Sequence, residues 1–112
     1  MKISNLIPTA AFAVLAMSAP AFAQTLTGQQ FVDLHAGKCV SYTGESTGTQ
    51  CYGADGTTRY EDNTYGSDTG TWEVRGNDVC ERFIKDPGLD CGPVSAAGGG
   101  RYTDGYYTWT IN

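Results

Sequence analysis

Cysteine is the residue type in this chain with the clearest chemical consequence. Cys39, Cys51, Cys80 and Cys91 form an even set, and in an exported protein such a set reads first as a disulfide framework. None of them stands in a C-x-x-C spacing, so a zinc site is set aside, and no metal or cofactor is expected. The connectivity stays open. Cys39–Cys51 with Cys80–Cys91 is preferred, because each pair flanks a plausible chain reversal. Closing loops of about a dozen residues contributes roughly 2–3 kcal/mol each.

The other titratable groups do not assemble into a reaction. His35 is the only histidine. It falls on a short helical segment beside the apolar stripe, where a partly buried ring bonded to a nearby carbonyl is expected rather than a general base. A Cys–His thiol centre conflicts with oxidised cysteines. Glu61 and Asp62 are adjacent acids in a polar stretch and read as solvated, whereas glycoside hydrolysis needs two carboxyls held across a cleft. Asp55-Gly56 is turn chemistry without the D-x-D-x-D-G run of a calcium loop. Gly98-Gly99-Gly100 lacks the GK[ST] ending and following helix of a phosphate loop. The expectation is a non-enzymatic binding module.

Aromatic residues are the remaining candidates. The seven tyrosines are Tyr42, Tyr52, Tyr60, Tyr65, Tyr102, Tyr106 and Tyr107, with Trp109 beside the last of them. Most should be ordinary strand residues. Tyr106 and Tyr107 are consecutive, so in a regular strand they face opposite sides and at least one meets solvent. With Tyr60, Tyr65, Arg101 and Tyr102 they are expected to form an aromatic–Arg binding patch, the composition that anchors protein interfaces.

These residues need a scaffold, and the chain opens with a segment that is not part of it. Met1-Lys2 supplies one positive charge, and Ala10 to Met17 is a short apolar run. Ala21-Phe22-Ala23 completes an A-x-A cleavage pattern. Residues 1–23 are expected to be a signal peptide cut before Gln24, with residues 24–112 forming one small domain, periplasmic or secreted. A retained N-terminal anchor is the alternative reading of residues 1–23. The formal charge is −5, and losing Lys2 makes it −6. That balance is a poor fit to nucleic acid or anionic lipid. It leaves a protein or glycan partner, with no membrane insertion after cleavage and a monomer expected.

The domain begins with a readable helix. Thr27 is its N-cap, Gln30 completes a capping box, and Leu26 with Phe31 forms a hydrophobic staple. Leu34 and His35 extend the buried stripe, and Gly37 ends the helix. Strands are expected over Cys39 to Thr43, Thr47 to Tyr52, Thr57 to Tyr60, Thr69 to Arg75, Asp78 to Ile84 and Arg101 to Ile111, the last bulged at Gly105. Glu61 to Asp68 reads as an exposed loop and Ala96 to Gly100 as a flexible one. Gly76-Asn77 signals a hairpin in which Val74 faces Val79. Trp72, Val74, Val79 and Phe83 then face the core, and Glu73, Arg75, Cys80 and Arg82 face away. Glu81 breaks that alternation in the manner of a residue at a sheet edge or barrel mouth. The fold expected is mainly β: a small antiparallel sheet or partly closed barrel of about six strands with one short N-terminal helix, stabilised by disulfides.

Two resemblances add to this reading. Leu26-Thr27-Gly28, Tyr52-Gly53-Ala54-Asp55-Gly56-Thr57-Thr58-Arg59, and Asp68 to Cys80 with Cys91 downstream resemble an uncharacterised family of small exported proteobacterial β domains. Its pattern is a helix, an A-P-D-G-T turn and G-T-W-x-V-x-G-D-x-L-C. The resemblance implies export and fold but no reaction; Gly53 replaces the usual Pro, and Cys39 and Cys51 are additional. Separately, Gly100-Arg101-Tyr102 through Trp109 resembles the signature strand of periplasmic c-type lysozyme inhibitors, which insert a Ser and a Lys into the lysozyme cleft. Here Gly98 stands where that Ser belongs, and no Lys follows Trp109.

Overall fold

Leu26 and Phe31 bracket the first turn of the helix, and their burial fixes where the rest of the chain packs. In the computed structural model, which describes residues 24–112, α1 (Gly28–His35) begins at Thr27. The Thr27 hydroxyl accepts from Gln30 N at 3.1 Å, and Gln30 Oε1 accepts from Thr27 N at 2.9 Å. Leu26, Phe31 and His35 are buried, as the expected staple and stripe require. Gly37 follows the C-cap Ala36 with φ +79°. Eight helical residues are too few to persist alone, so α1 holds its shape by packing against the sheet. The leader assigned to Met1–Ala23 lies outside the described residues.

The sheet has ten strands rather than six: β1 (Gln24–Thr25), β2 (Lys38–Thr43), β3 (Thr47–Tyr52), β4 (Thr57–Asp62), β5 (Gly66–Arg75), β6 (Asp78–Phe83), β7 (Asp90–Pro93), β8 (Ser95–Gly98), β9 (Arg101–Thr103) and β10 (Thr108–Ile111). All pairings are antiparallel, in the order β1-β8-β9-β10-β2-β3-β4-β5-β6-β7. Only Val94 separates β7 at one edge from β8 near the other. One nearly continuous stretch of chain therefore joins both ends of the sheet and all but closes a barrel. Val94 itself is buried and accepts from Leu26 N at 2.8 Å.

The additional strands sit where local sequence is weakest. Glu61 to Asp68 is not an exposed loop. β4 runs to Asp62, a turn occupies Asn63 to Tyr65, and β5 resumes at Gly66. Ala96 to Gly100 is not a flexible loop either, since β8 pairs with both β1 and β9, with a register shift between Ala96 and Gly98. The last region is two strands joined at Asp104–Tyr107, not one strand bulged at Gly105. Each departure is a strand of four residues or fewer, or the polar end of a longer one, and such segments acquire strand geometry from their partners.

The register of the central hairpin is as expected, with Val74 opposite Val79. Trp72 and Val79 are buried, and Val74 and Phe83 are half-buried. Cys80 keeps the alternation, standing opposite Glu73, but is not exposed. Expected to face away, it is 0 % exposed, because it lies on a strand flanked on both sides and is bonded to its opposite residue Cys91. The second disulfide joins the opposed residues Cys39 and Cys51 of β2 and β3. Both preferred pairings are thus present, and among the described residues no cysteine is free.

The motif residues of the family-like pattern serve the architecture. Gly28 N donates to Asn77 Oδ1 at 3.1 Å, and a side chain at Gly28 would collide with the Gly76 carbonyl. Any side chain at Gly70 would strike the Arg82 backbone of the adjoining strand. Asp55 Oδ1 accepts from Thr57 N and Thr57 Oγ1, and Trp72 Nε1 donates to Gly53 O at 2.9 Å. These contacts lock helix, turn and central hairpin together.

Candidate functional site

A barrel this small fills its interior with side chains unless some are short, polar or turned aside. Here a cavity of about 320 Å³ remains, open on one side. Phe31, Val40, Val79, Val94 and Trp109 contribute apolar walls. Tyr42, Tyr60, Tyr65, Tyr106 and Tyr107 surround it together with Asp62, Glu81, Asp90 and Asp104. Among the described residues that line it, none is Lys, Arg or His.

Asp62 organises one side of the opening. Its Oδ2 accepts from Tyr42 Oη at 2.7 Å and from Ser46 Oγ at 2.6 Å. Its Oδ1 accepts from the backbone N–H groups of Thr64 at 2.8 Å and Tyr65 at 2.9 Å. Burial works against its ionised form, but these four donors prevail and hold its carboxyl at about 2. Asp62 is therefore half-buried and saturated rather than a solvated loop acid, while Glu61 beside it is exposed. Burial, reinforced by the bond to Asp62, raises the Tyr42 phenol well above its ordinary value. Tyr107 packs edge-on against Tyr42 with ring centroids 5.4 Å apart.

Replacing Asp62 by Ala strands Tyr42, Ser46 and two backbone donors. The expected loss is about 1–3 kcal/mol of stability, read as a lower urea midpoint, with a weakened Tyr42–Tyr107 contact visible as shifted ring resonances. An unchanged midpoint would show that Asp62 does not hold the rim.

The turn between β9 and β10 forms the other side. Asp104 Oδ1 accepts from Tyr106 N at 2.9 Å and Tyr107 N at 2.8 Å, and Thr103 Oγ1 donates to Tyr107 O at 2.7 Å. This turn projects Tyr106, 84 % exposed, while Tyr107 folds inward to half-burial. One of the two consecutive tyrosines meets solvent as expected, though from a turn rather than a strand. Across the opening, Tyr65 Oη donates to Glu45 Oε2 at 2.7 Å. Tyr60 lies edge-on to Phe83 at 4.9 Å.

Glu81 is the least expected member. It shares one face of β6 with Val79 and Phe83 and so points inward, where Tyr52 Oη lies 3.3 Å from its Oε2. Burial pushes its carboxyl upward; hydrogen bonding from Gln50 and Tyr52 opposes this, and the neighbouring charges of Asp104 and Asp90 add to it. Asp90 is its cross-strand partner. The break in the Val79–Phe83 alternation was the only sequence signal for it. Asp104 falls in the expected last strand and Asp90 in a stretch to which the sequence assigns no element, so nothing local singled them out.

Of the expected patch, Tyr60, Tyr65, Tyr106 and Tyr107 meet at this opening. Arg101 and Tyr102 do not line it. Arg101 is exposed on β9, and Tyr102 packs toward the core with its ring centroid 5.6 Å from that of His35. A β-strand alternates its faces, so residues adjacent in sequence to a site need not share it. His35 is fully buried, stacked on Phe31 at 3.9 Å. Trp109 Nε1 can only donate, and it lies 3.0 Å from His35 Nε2, so Nδ1 carries the proton toward Phe31 O at 3.0 Å. With both ring nitrogens engaged and burial lowering its pKa to about 4, His35 is a structural residue.

No family model matches the chain, and neither the curated proteins nor the solved structures contain a match to it.

Proposed function

We propose that this chain is an exported, non-enzymatic binding module that engages a basic protein partner through the barrel mouth, in the periplasm or outside the cell. The observation that carries this reading is the convergence of Tyr60, Tyr65, Tyr106 and Tyr107 with carboxylates around one cavity. Tyrosines held by a hydrogen-bonded frame lose little freedom on binding, and aromatic anchors with a charged rim are the usual energetic centre of an interface. The formal charge of −5 favours a basic partner. The leader-like residues 1–23 support export, and two disulfides fit an oxidising compartment. The family-like motifs fit the same picture of a small exported β domain.

Immobilised oxidised protein is expected to retain a stoichiometric protein from a cell-envelope extract or host fluid at low salt and to release it as salt rises. A Tyr65→Ala/Tyr106→Ala variant should lose that retention. No retention at low salt, or equal retention by the variant, would overturn the reading. Because Gly98 replaces the inhibitory Ser, a lysozyme inhibition assay is expected to be negative.

A second reading, a glycan-binding or structural envelope domain, is favoured by one observation, the exposure of the Tyr106 ring. It requires retention on peptidoglycan or polysaccharide that survives high salt.

A further inference from the structure

The lining of the cavity is chemically one-sided. Its deep walls are apolar, its rim is phenolic, and its charges are all carboxylates. These acids differ in availability. Asp62 already accepts four hydrogen bonds from the protein, so its charge is spent on holding the rim. Glu81 is different. It points into the cavity, faces Asp90 across the β6–β7 pair, and feels Asp104 from the turn between β9 and β10. Glu81, Asp90 and Asp104 lining one partly apolar chamber, with no cationic side chain among the described lining residues, are an arrangement that favours a cation and disfavours an anion.

We propose that the cavity is a receptor site for an organic cation on a short apolar stem, an alkylammonium or alkylguanidinium group, whose charge is met by Glu81, Asp90 and Asp104. The proposal rests on reading the barrel mouth as a binding site and names the chemistry it accepts. A bare metal ion fits poorly, because among the described residues no three His, Cys, Asp or Glu side chains converge closely enough to hold one. A neutral ligand would leave the Glu81 carboxylate, which Tyr52 Oη reaches at 3.3 Å, without a counter-charge. An organic cation satisfies both halves of the site, since its stem covers Val40, Val79 and Val94 while its charge meets the carboxylates. Tyrosine ring faces attract cations as well. The volume of about 320 Å³ is at the small end of ligand pockets, which run from about 300 to 1,000 Å³, and suits a single side-chain-sized group. Such a group is either a free amine or the tip of a Lys or Arg side chain from a partner protein.

The test is a titration of the oxidised protein with n-butylguanidinium, n-butylammonium, neutral n-pentanol and anionic pentanoate, following the Trp109 indole N–H by NMR. Both cations are expected to bind about tenfold or more tighter than pentanol, and pentanoate weakest of all. Glu81→Gln should weaken the cations by about tenfold while changing pentanol by less than about threefold. If Glu81→Gln fails to fold, Asp90→Asn and Asp104→Asn carry the same comparison, each expected to cut the cation preference severalfold. A short Arg-containing peptide with blocked termini separates the sources: tighter binding than butylguanidinium assigns a partner's side chain, and weaker binding assigns a free amine. Equal affinity for cations and pentanol, or a cation preference that survives these substitutions, overturns the proposal. If the Tyr65→Ala/Tyr106→Ala variant loses its protein partner while no cation enters the cavity, the binding-module reading stands and only the cation assignment falls.

Discussion

Reducing both disulfides is expected to lower the thermal midpoint of the folded domain by about ten degrees or more. Cys39–Cys51 and Cys80–Cys91 close segments of 12 and 11 residues. Each such closure removes roughly 2–3 kcal/mol of unfolded-chain freedom, and in a domain this size 1 kcal/mol shifts the midpoint by about 4–8 °C. The two bonds are not equivalent. Cys39–Cys51 lies within a hairpin already paired over six positions of β2 and β3. Cys80–Cys91 ties β6 to β7, the edge strand, which has four paired positions. Its chain continues through Val94 into β8 and so into the opposite side of the barrel. The Cys80→Ala/Cys91→Ala variant should therefore lose more stability than Cys39→Ala/Cys51→Ala, and should also loosen the cavity wall at Cys91 and Gly92. Calorimetry with and without a phosphine reductant checks the first claim. A midpoint that does not move would remove the disulfides from any structural role.

The second large effect is acid destabilisation through His35. Its pKa is lowered from 6.5 to about 4, chiefly by burial; the bond to Phe31 O opposes this and the charge of Lys38 adds to it. The unfolded chain therefore binds a proton that the folded chain refuses. The neutral ring contributes its full stability above about pH 6.5 and loses it as pH falls toward 4. Protonation would also place a donor where Nε2 accepts from Trp109. The shift corresponds to about 2–3 kcal/mol once some solvent relaxation is allowed. Glu81 acts in the opposite sense. Its raised carboxyl makes the fold easier to protonate than the unfolded chain, so it favours the folded state as pH drops. Asp62, lowered to about 2, contributes its full stability above about pH 4 and loses it only as pH falls toward 2. Urea melts from pH 7.5 to 4.5 should thus show a steeper loss for the native chain than for His35→Gln, which keeps an acceptor for Trp109 but does not titrate. Identical slopes would mean that His35 is not held neutral.

Much of the frame could be read locally because its chemistry is local. Thr27 and Gln30 satisfy each other across one turn, Gly76-Asn77 closes a two-residue hairpin, and each cysteine is opposite its partner within a few turns of chain. The register that puts Val74 against Val79 follows from that hairpin alone. The aromatic patch was half legible. Tyrosine is a sound marker of an amphipathic surface, but which tyrosines share a surface depends on strand pairings between distant segments. Tyr60, Tyr65, Tyr106 and Tyr107 meet because β10 pairs with β2, a contact no nearby residue encodes, whereas Tyr102 turns toward His35.

Order along the chain, through capping, turn residues and period-two alternation, was therefore sufficient for the helix, the central hairpins, a preference among the disulfide pairings and a mainly β architecture. It could not supply β1, β7 and β8, which have at most four residues each and are strands only because longer neighbours lend them hydrogen-bond partners. Nor could it supply the cavity. That space exists because the stretch from Asp90 to Gly98 bridges the two ends of the sheet, so that Glu81, Asp90 and Asp104 line one cavity. Closure of this kind is a sum of many small pairings over long sequence separations, and no single window of residues contains it.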